Sequence, residues 1–266
     1  MNRINRLFKE KQEKGKTALI LYLTAGYPDL ETTRALVPKL EKAGADLIEM
    51  GVPFSDPIAD GPTIQKSSAR SLEAGTTLHK ILKLIKDLRK ETQIPIVLFS
   101  AYNPFYKYGL EKLINDCARI GVDGLLVPDL PPDEAEGFIS LCRKNELCHI
   151  FLVAPTTLRK RAKAIVEKSS GFIYYVSTRG VTGARESLDK DIRSHISQLK
   201  KLTKKPIAVG FGISKPAHVS LLEGKVEGII VGSALIREIE AGKNLKDRIK
   251  RAMRFTRRLA KPLKTP

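Results

Sequence analysis

Two acidic residues, Glu49 and Asp60, have the sequence surroundings of an acid–base site. Glu49 lies in the apolar run DLIEM (46–50), where withdrawal from water would raise the pKa of its carboxyl and allow proton transfer near neutral pH. Taken alone, Glu49 fits a structural ion pair equally well. Asp60 lies in a long loop (52–62) with three prolines, and such loops usually form lids or binding segments. Together the two residues favour proton-transfer catalysis.

Glycines point to a second property, the binding of an anion. The segments VGFGIS (209–214) and VGSAL (231–235) each place glycines and a small hydroxyl before a predicted helix start, and Gly180 and Gly183 lie in an earlier loop. Backbone N–H groups at a helix start bind phosphate without a cationic side chain. One such loop alone fits a tight turn, but the coincidence favours a phosphate ester. GFGISK lacks the third glycine of a dinucleotide-binding motif, so no nicotinamide cofactor is expected.

Other kinds of site find no support in the sequence. It has no HExxH, paired CxxC or GxSxG motif, and its four histidines lie on predicted helices or at a strand start. Cys148 and His149 are adjacent on a predicted strand and so point to opposite faces. We therefore expect no metal, and catalysis by carboxylates and backbone dipoles.

The elements that must position these residues recur along the whole chain. Short runs rich in Ile, Val, Leu, Tyr and Phe predict eight strands buried on both faces. These runs are residues 18–23, 46–50, 94–99, 124–128, 149–154, 172–176, 206–210 and 228–232. Helical periodicity occurs between them, at residues 30–42, 77–90, 110–120, 133–144, 158–168 and 189–202.

Regular alternation of strand and helix predicts an α/β fold, a (β/α)8 TIM barrel formed by residues 1–266 as a single domain. An additional N-terminal helix with Ile4, Leu7 and Phe8 on one face is expected to close the N-terminal end of the barrel. The active site of such a barrel lies at the C-terminal ends of its strands. Glu49, Asp60 and the glycine loops all follow or end predicted strands.

The net charge of +18 raises the question of a nucleic-acid partner. Residues 243–264 contain ten basic residues and one acid, and their apolar residues have helical spacing. An amphipathic final helix with a solvated basic face is therefore favoured over nucleic-acid binding. No apolar run is long enough to span a membrane, and three cysteines without paired spacing fit the cytoplasm.

The segment LIEMGVPFSDPIADGPTIQ (47–65) closely resembles the signature of the tryptophan synthase α chain family. Further segments resemble that family in the same order, so that the resemblance covers essentially the whole chain. They are LTAGYPD (23–29), AYNPFYKYG (101–109), VPDLPPDE (127–134), YYVSTRGVTGAR (174–185), VGFGISKP (209–216) and IIVGSALI (229–236).

The resemblance implies cleavage of indole-3-glycerol phosphate to indole and glyceraldehyde 3-phosphate, with Glu49 as proton shuttle and Asp60 stabilising positive charge on the indole nitrogen. The residues implied to bind substrate are Tyr22, Tyr174, Thr182, Gly183, Phe211, Gly212, Gly232 and Ser233. Those implied to face a β chain are Pro53, Asp56, Pro57, Asn103 and Pro104. The implied assembly is α2β2, with pyridoxal phosphate in the β chain and no cofactor in this chain.

Two other classes of function stay open at this point. Another phosphate-binding barrel, a lyase or isomerase acting without a partner, would also use the carboxylates and glycines. A binding protein that uses the basic C-terminal segment for RNA or an acidic partner would show no turnover. Release of indole from indole-3-glycerol phosphate distinguishes these classes.

Overall fold

The computed structural model describes residues 1–57, 60–176, 185–210 and 212–264, with the backbone alone for 185–191 and 264. Within these ranges one sheet contains nine parallel strands. The strands are β1 (Ala18–Thr24), β2 (Leu47–Gly51), β3 (Ile96–Phe99), β4 (Gly124–Leu126), β5 (Cys148–Ile150), β6 (Leu152–Val153), β7 (Ile173–Val176), β8 (Ile207–Gly210) and β9 (Gly228–Val231).

The sheet closes into a barrel. Its strand order is β5-β4-β3-β2-β1-β9-β8-β7-β6, and the two edge strands, β5 and β6, are separated only by Phe151. The predicted (β/α)8 barrel is therefore confirmed. The predicted fifth strand (149–154) is wrong in one respect, because it consists of two short strands that pair with opposite neighbours.

Helices separate most of the strands along the chain. They are α1 (Arg3–Glu13), α2 (Leu30–Ala43), α3 (Pro62–Glu73), α4 (Leu78–Leu88), α5 (Tyr102–Tyr108), α6 (Leu110–Ile120), α7 (Glu136–Lys144), α8 (Arg159–Lys168), α9 (Arg185–Lys200), α10 (Pro216–Leu222), α11 (Ser233–Glu240) and α12 (Leu245–Ala260), with a 3-10 turn at Pro262–Lys264. None of the helices in the described ranges combines the length and apolar character needed to cross a bilayer.

Helix α1 closes the N-terminal end of the barrel, as predicted. Ile4 and Phe8 are buried in a cluster with inward-facing side chains of the strands, and the Phe8 and Phe172 rings lie 5.4 Å apart. At the start of α1, Asn2 donates a hydrogen bond to the backbone oxygen of Asp123, and Arg3 forms a 2.9 Å ion pair with its carboxylate. This end of the barrel is therefore filled, and the open end is the opposite one.

The basic C-terminal segment forms the amphipathic helix α12. Its inner face packs on α2 and α11 and buries five residues, Ala252, Phe255, Thr256, Leu259 and Ala260. Six cations of the other face are exposed, namely Lys246, Lys250, Arg254, Arg257, Arg258 and Lys261. The prediction of a packed helix with a solvated basic face is confirmed.

Candidate active site

A cavity of about 540 Å³ opens at the C-terminal end of the barrel. Alternate residues of each strand point inward, and those nearest the C-terminal ends form the wall. The lining contributed by strands and by residues just after them is Tyr22, Phe99, Pro128, Leu152, Tyr174, Val176, Gly210, Gly212, Ile230 and Gly232. A smaller cavity of about 320 Å³, lined by Tyr175 and His195, has no carboxylate among its described lining residues. The acid–base site therefore belongs to the larger cavity.

Glu49 is fully buried in β2, next to the cavity residue Tyr22. It pairs in register with Tyr22 on one side and Val97 on the other. Neither carboxyl oxygen has a hydrogen-bond partner among the described residues. Loss of hydration raises the pKa of Glu49 to about 8. At neutral pH this carboxyl is therefore mostly protonated and able to donate its proton.

Two tyrosines line the cavity near the carboxylates, and neighbouring glycines make room for them. A Cβ atom at Gly51 would lie 2.1 Å from the Tyr22 hydroxyl, and one at Gly210 would lie 2.7 Å from the Tyr174 hydroxyl. Burial raises the pKa of Tyr22, with the Asp60 charge as the next cause; for Tyr174 burial comes first and the Glu49 charge second. The two tyrosines therefore stay neutral, and both are close enough to Glu49 and Asp60 to be affected by their charges.

Asp60 lies on the cavity wall at the end of the loop that follows β2. Its backbone N–H donates to the Pro57 oxygen, and its backbone oxygen accepts from Gln65 Nε2 at 2.8 Å. Partial burial raises the pKa of its carboxyl to about 6. Above that pH Asp60 is an anion facing the cavity, so the two acids are held in opposite protonation states near neutrality.

Helix α3, which begins two residues after Asp60, is attached to β1 by hydroxyl groups. Its buried side chains are Ser67, Ser68 and Ser71. The Thr24 and Ser67 hydroxyls lie 2.6 Å apart, and Ser71 donates to the Ala25 oxygen at 2.6 Å. Hydrogen bonds between helix and strand thus set the position of the chain that carries Asp60.

The glycine loops form another part of the cavity wall. Gly212 has a φ of +43°, a conformation that favours glycine. Gly232 precedes α11, and Ser233 is the first residue of that helix. The first N–H groups of a helix have no acceptor within it, so they are free to bind an anion. This part of the cavity therefore fits a phosphate group.

Comparison with known proteins agrees with this geometry. Residues 8–264 match the sequence profile of the family described as tryptophan synthase alpha chain. A relative of that name from Geotalea daltonii is 50% identical over 247 residues, which cover 92% of this chain and 94% of the relative. The chain belongs to the tryptophan synthase alpha chain family.

Solved structures of this family have the same fold. A tryptophan synthase structure from Mycobacterium tuberculosis superposes with a TM-score of 0.91 at 34% identity, covering 100% of this chain and 99% of that one. Tryptophan synthase subunit alpha from Legionella pneumophila gives a TM-score of 0.92 at 33% identity, with 99% and 98% covered.

The structure brings most of the residues implied by family membership into one cavity. Asp60 and five of the predicted substrate-binding residues line it, namely Tyr22, Tyr174, Gly212, Gly232 and Ser233. Thr182, Gly183 and Phe211 lie outside the described residues, as does Gly180.

The residues predicted to face the β chain of the family differ in exposure. Asp56 and Asn103 are exposed, while Pro57 and Pro104 are half-buried. Pro53 is buried within the chain. These five residues come from the loop after β2 and from α5, which follows the neighbouring strand β3.

Three features of the site were not predicted from the sequence. Phe99 lines the cavity and packs edge-on against Tyr22, with ring centroids 5.6 Å apart. Ser67 holds α3 against β1, and Arg237 contributes a cation to the cavity wall. The position of Arg237 could have been found, because it follows Ser233 by four residues and so lies on the same face of a helix.

Proposed function

We propose that this chain cleaves indole-3-glycerol phosphate to indole and glyceraldehyde 3-phosphate. The observation that carries the proposal is a pair of carboxyls beside the same two cavity tyrosines, Tyr22 and Tyr174. One is the buried Glu49, with a pKa of about 8, and the other is Asp60 on the cavity wall, with a pKa of about 6. Between these values one carboxyl can donate a proton while the other is an anion. Membership of the alpha chain family supports the same reaction.

The reaction follows from the protonation states. Protonated Glu49 delivers its proton to C3 of the indole ring, which leaves a positive charge on the ring nitrogen. The Glu49 carboxylate then takes the proton of the hydroxyl on the adjacent side-chain carbon. The bond between that carbon and C3 breaks, its electron pair returns to the ring, and an aldehyde forms. Glu49 ends protonated, so no further acid is consumed.

Asp60 and the glycine loops act on the two ends of the substrate. The Asp60 anion stabilises the charge that develops on the ring nitrogen, and its position on the cavity wall allows this without a rearrangement. The indole ring binds against the aromatic side chains of Tyr22 and Tyr174, which line the cavity. The phosphate is bound by backbone N–H groups near Gly212, Gly232 and Ser233.

Indole release measured between pH 5 and pH 10 tests this function. Activity requires Glu49 protonated and Asp60 ionised, so kcat/KM should follow a bell with limbs near the two pKa values, about 6 and about 8. The acidic limb should disappear in an Asp60→Asn variant that retains residual activity. Absence of indole at every pH, with the substrate intact, would reject the function and favour an isomerase or a binding protein.

We also propose that the chain works with a β chain in an α2β2 assembly and itself needs no cofactor, with pyridoxal phosphate in the β chain. The exposed face near Asp56 and Asn103 supports this, because it also carries Tyr106, an aromatic side chain that is 68% exposed. Exposed aromatic residues are enriched in protein interfaces. The three cysteines are free and buried, which supports the cytoplasm as its location.

Asp56→Ala should leave the rate of the isolated chain nearly unchanged and remove most of its activation by the β chain. Asp56 is exposed, and its carboxylate accepts a hydrogen bond only from Ser55 among the described residues. It shares a loop with Asp60, and a displacement of about 1 Å in an active site can change the rate roughly 10²-fold.

The measurement compares indole release by wild type and Asp56→Ala, each with and without saturating β chain. Asp87→Ala makes the same change at a half-buried acid of α4 outside this loop, and this control variant should keep full activation. Full activation of Asp56→Ala would exclude this loop as the coupling element and leave the Asn103 region as the candidate.

A further inference from the structure

Arg237 is the one cation among the described residues that line the active-site cavity. It lies on α11, one turn after Ser233, so both side chains are on the face of that helix that borders the cavity. The residue is exposed, which places its guanidinium at the rim of the cavity rather than beside the buried Glu49.

The cavity wall carries one charge of each sign among its described lining residues. Asp60 is the only acid there, and Arg237 is the only cation. Arg237 lies on the same helix as Ser233, four residues after it, whereas Asp60 precedes α3. Arg237 therefore belongs to the helix whose first N–H groups border the cavity.

Arg237 also differs from the cations around it. Lys66 pairs with Glu240, whereas Arg251 and Arg258 both pair with Glu238, at 3.6 and 3.8 Å. Each of these three cations thus has an acid of α11 as its partner. Arg237, on the same helix, has no ion pair within the described part of the chain. Its charge remains available to a ligand in the cavity.

We propose that Arg237 is a specificity-determining residue that draws the dianionic phosphate of the substrate to the α11 end of the cavity. The inference rests on the proposed function, since it adds a charged side chain to the phosphate-binding part of that site. Backbone N–H groups recognise the shape of a phosphate, and the guanidinium adds the long-range attraction that favours two negative charges over one or none. Asp60, the acid of the same cavity wall, repels the phosphate and so disfavours the reverse direction of the substrate.

Calorimetric binding of glycerol 3-phosphate tests the proposal in wild type, Arg237→Gln and Arg237→Lys. At about 20 mM salt Arg237→Gln should bind roughly threefold to tenfold more weakly, and the difference should shrink below about twofold at 0.5 M salt, because exposed charges are screened. Arg237→Lys should retain most of the affinity. Arg254→Gln is the matched control, since it removes an exposed cation from α12 outside the cavity, and it should bind like wild type.

Steady-state indole release gives an independent measurement. Arg237→Gln should raise KM while kcat stays within about twofold, because the contact is present in both the bound substrate and the transition state. Equal binding by wild type and Arg237→Gln at low salt would overturn the proposal, as would an equal loss in Arg254→Gln. A salt-dependent binding loss in Arg237→Gln together with no indole release by wild type would keep the phosphate site and reject the lyase function.

Discussion

Glu49→Gln should lower indole release roughly 10²–10⁴-fold while the affinity for glycerol 3-phosphate stays near that of wild type. Glutamine keeps the size and polarity of the side chain, but it transfers no proton. Since the phosphate end of the cavity lies away from β2, binding should be preserved. Kinetics and calorimetry on the same preparation measure both effects, with the exposed Glu31→Gln on α2 as a control of equal chemistry. Activity within about threefold of wild type would remove Glu49 from the mechanism.

The same substitution should change the pH dependence of stability. The pKa of Glu49 is raised from 4.5 to about 8 in the folded chain, so the folded state binds the proton more tightly than the unfolded state. The stabilisation of the folded state by the Glu49 proton is fully present below about pH 4.5 and is lost as the pH rises through 8. Glutamine does not titrate, so its contribution does not change with pH. The free energy of unfolding of the variant should therefore rise relative to that of wild type by a few kcal/mol between pH 5 and pH 8. Urea unfolding at both pH values measures the difference, and a constant difference would contradict the buried, unpaired carboxyl.

Asp60→Asn should lower turnover about 10²–10³-fold with little change in stability. The amide removes the negative charge opposite the indole nitrogen, whereas the hydrogen bonds of this residue to described residues are made by its backbone. Asp56→Asn is the matched control, because it makes the same change in the same loop, and its basal rate should be unaffected. If Asp60→Asn lost stability but kept its specific activity, Asp60 would be a structural residue of the loop.

Much of the fold and part of the site could be predicted, because buried segments have recognisable patterns of apolar residues in the sequence. Strands enclosed on both sides produce short continuous apolar runs, and an acid inside such a run, as at Glu49, stands out. In amphipathic helices such as α6 and α12, the buried apolar residues recur in the sequence at helical spacing. The barrel and its carboxyls depend on these local patterns.

Helix α3 could not be predicted, because its inner face is made of serines and shows no apolar period. Its position is fixed by hydroxyl contacts, such as that of Ser67 with Thr24, which join residues far apart in the chain. The absence of any cation beside Glu49 among the described residues is likewise a property of the folded barrel. In a chain with 47 lysines and arginines, sequence alone does not show which acid remains unpaired.

The filled N-terminal end of the barrel has a consequence for the order of events during synthesis. Helix α1 leaves the ribosome before its partners, since Asn2 and Arg3 bind Asp123, and Phe8 packs on Phe172. The native surface that the apolar face of α1 covers is therefore incomplete until the residues near β7 and in β9 have been made. Contacts that close such long loops form late in folding, because chain entropy must be lost before the favourable contact energy is gained. We expect the amides of α1 to gain protection from hydrogen exchange after those of β1 to β4, so that a helix translated before every strand of the barrel is one of the last elements to become native.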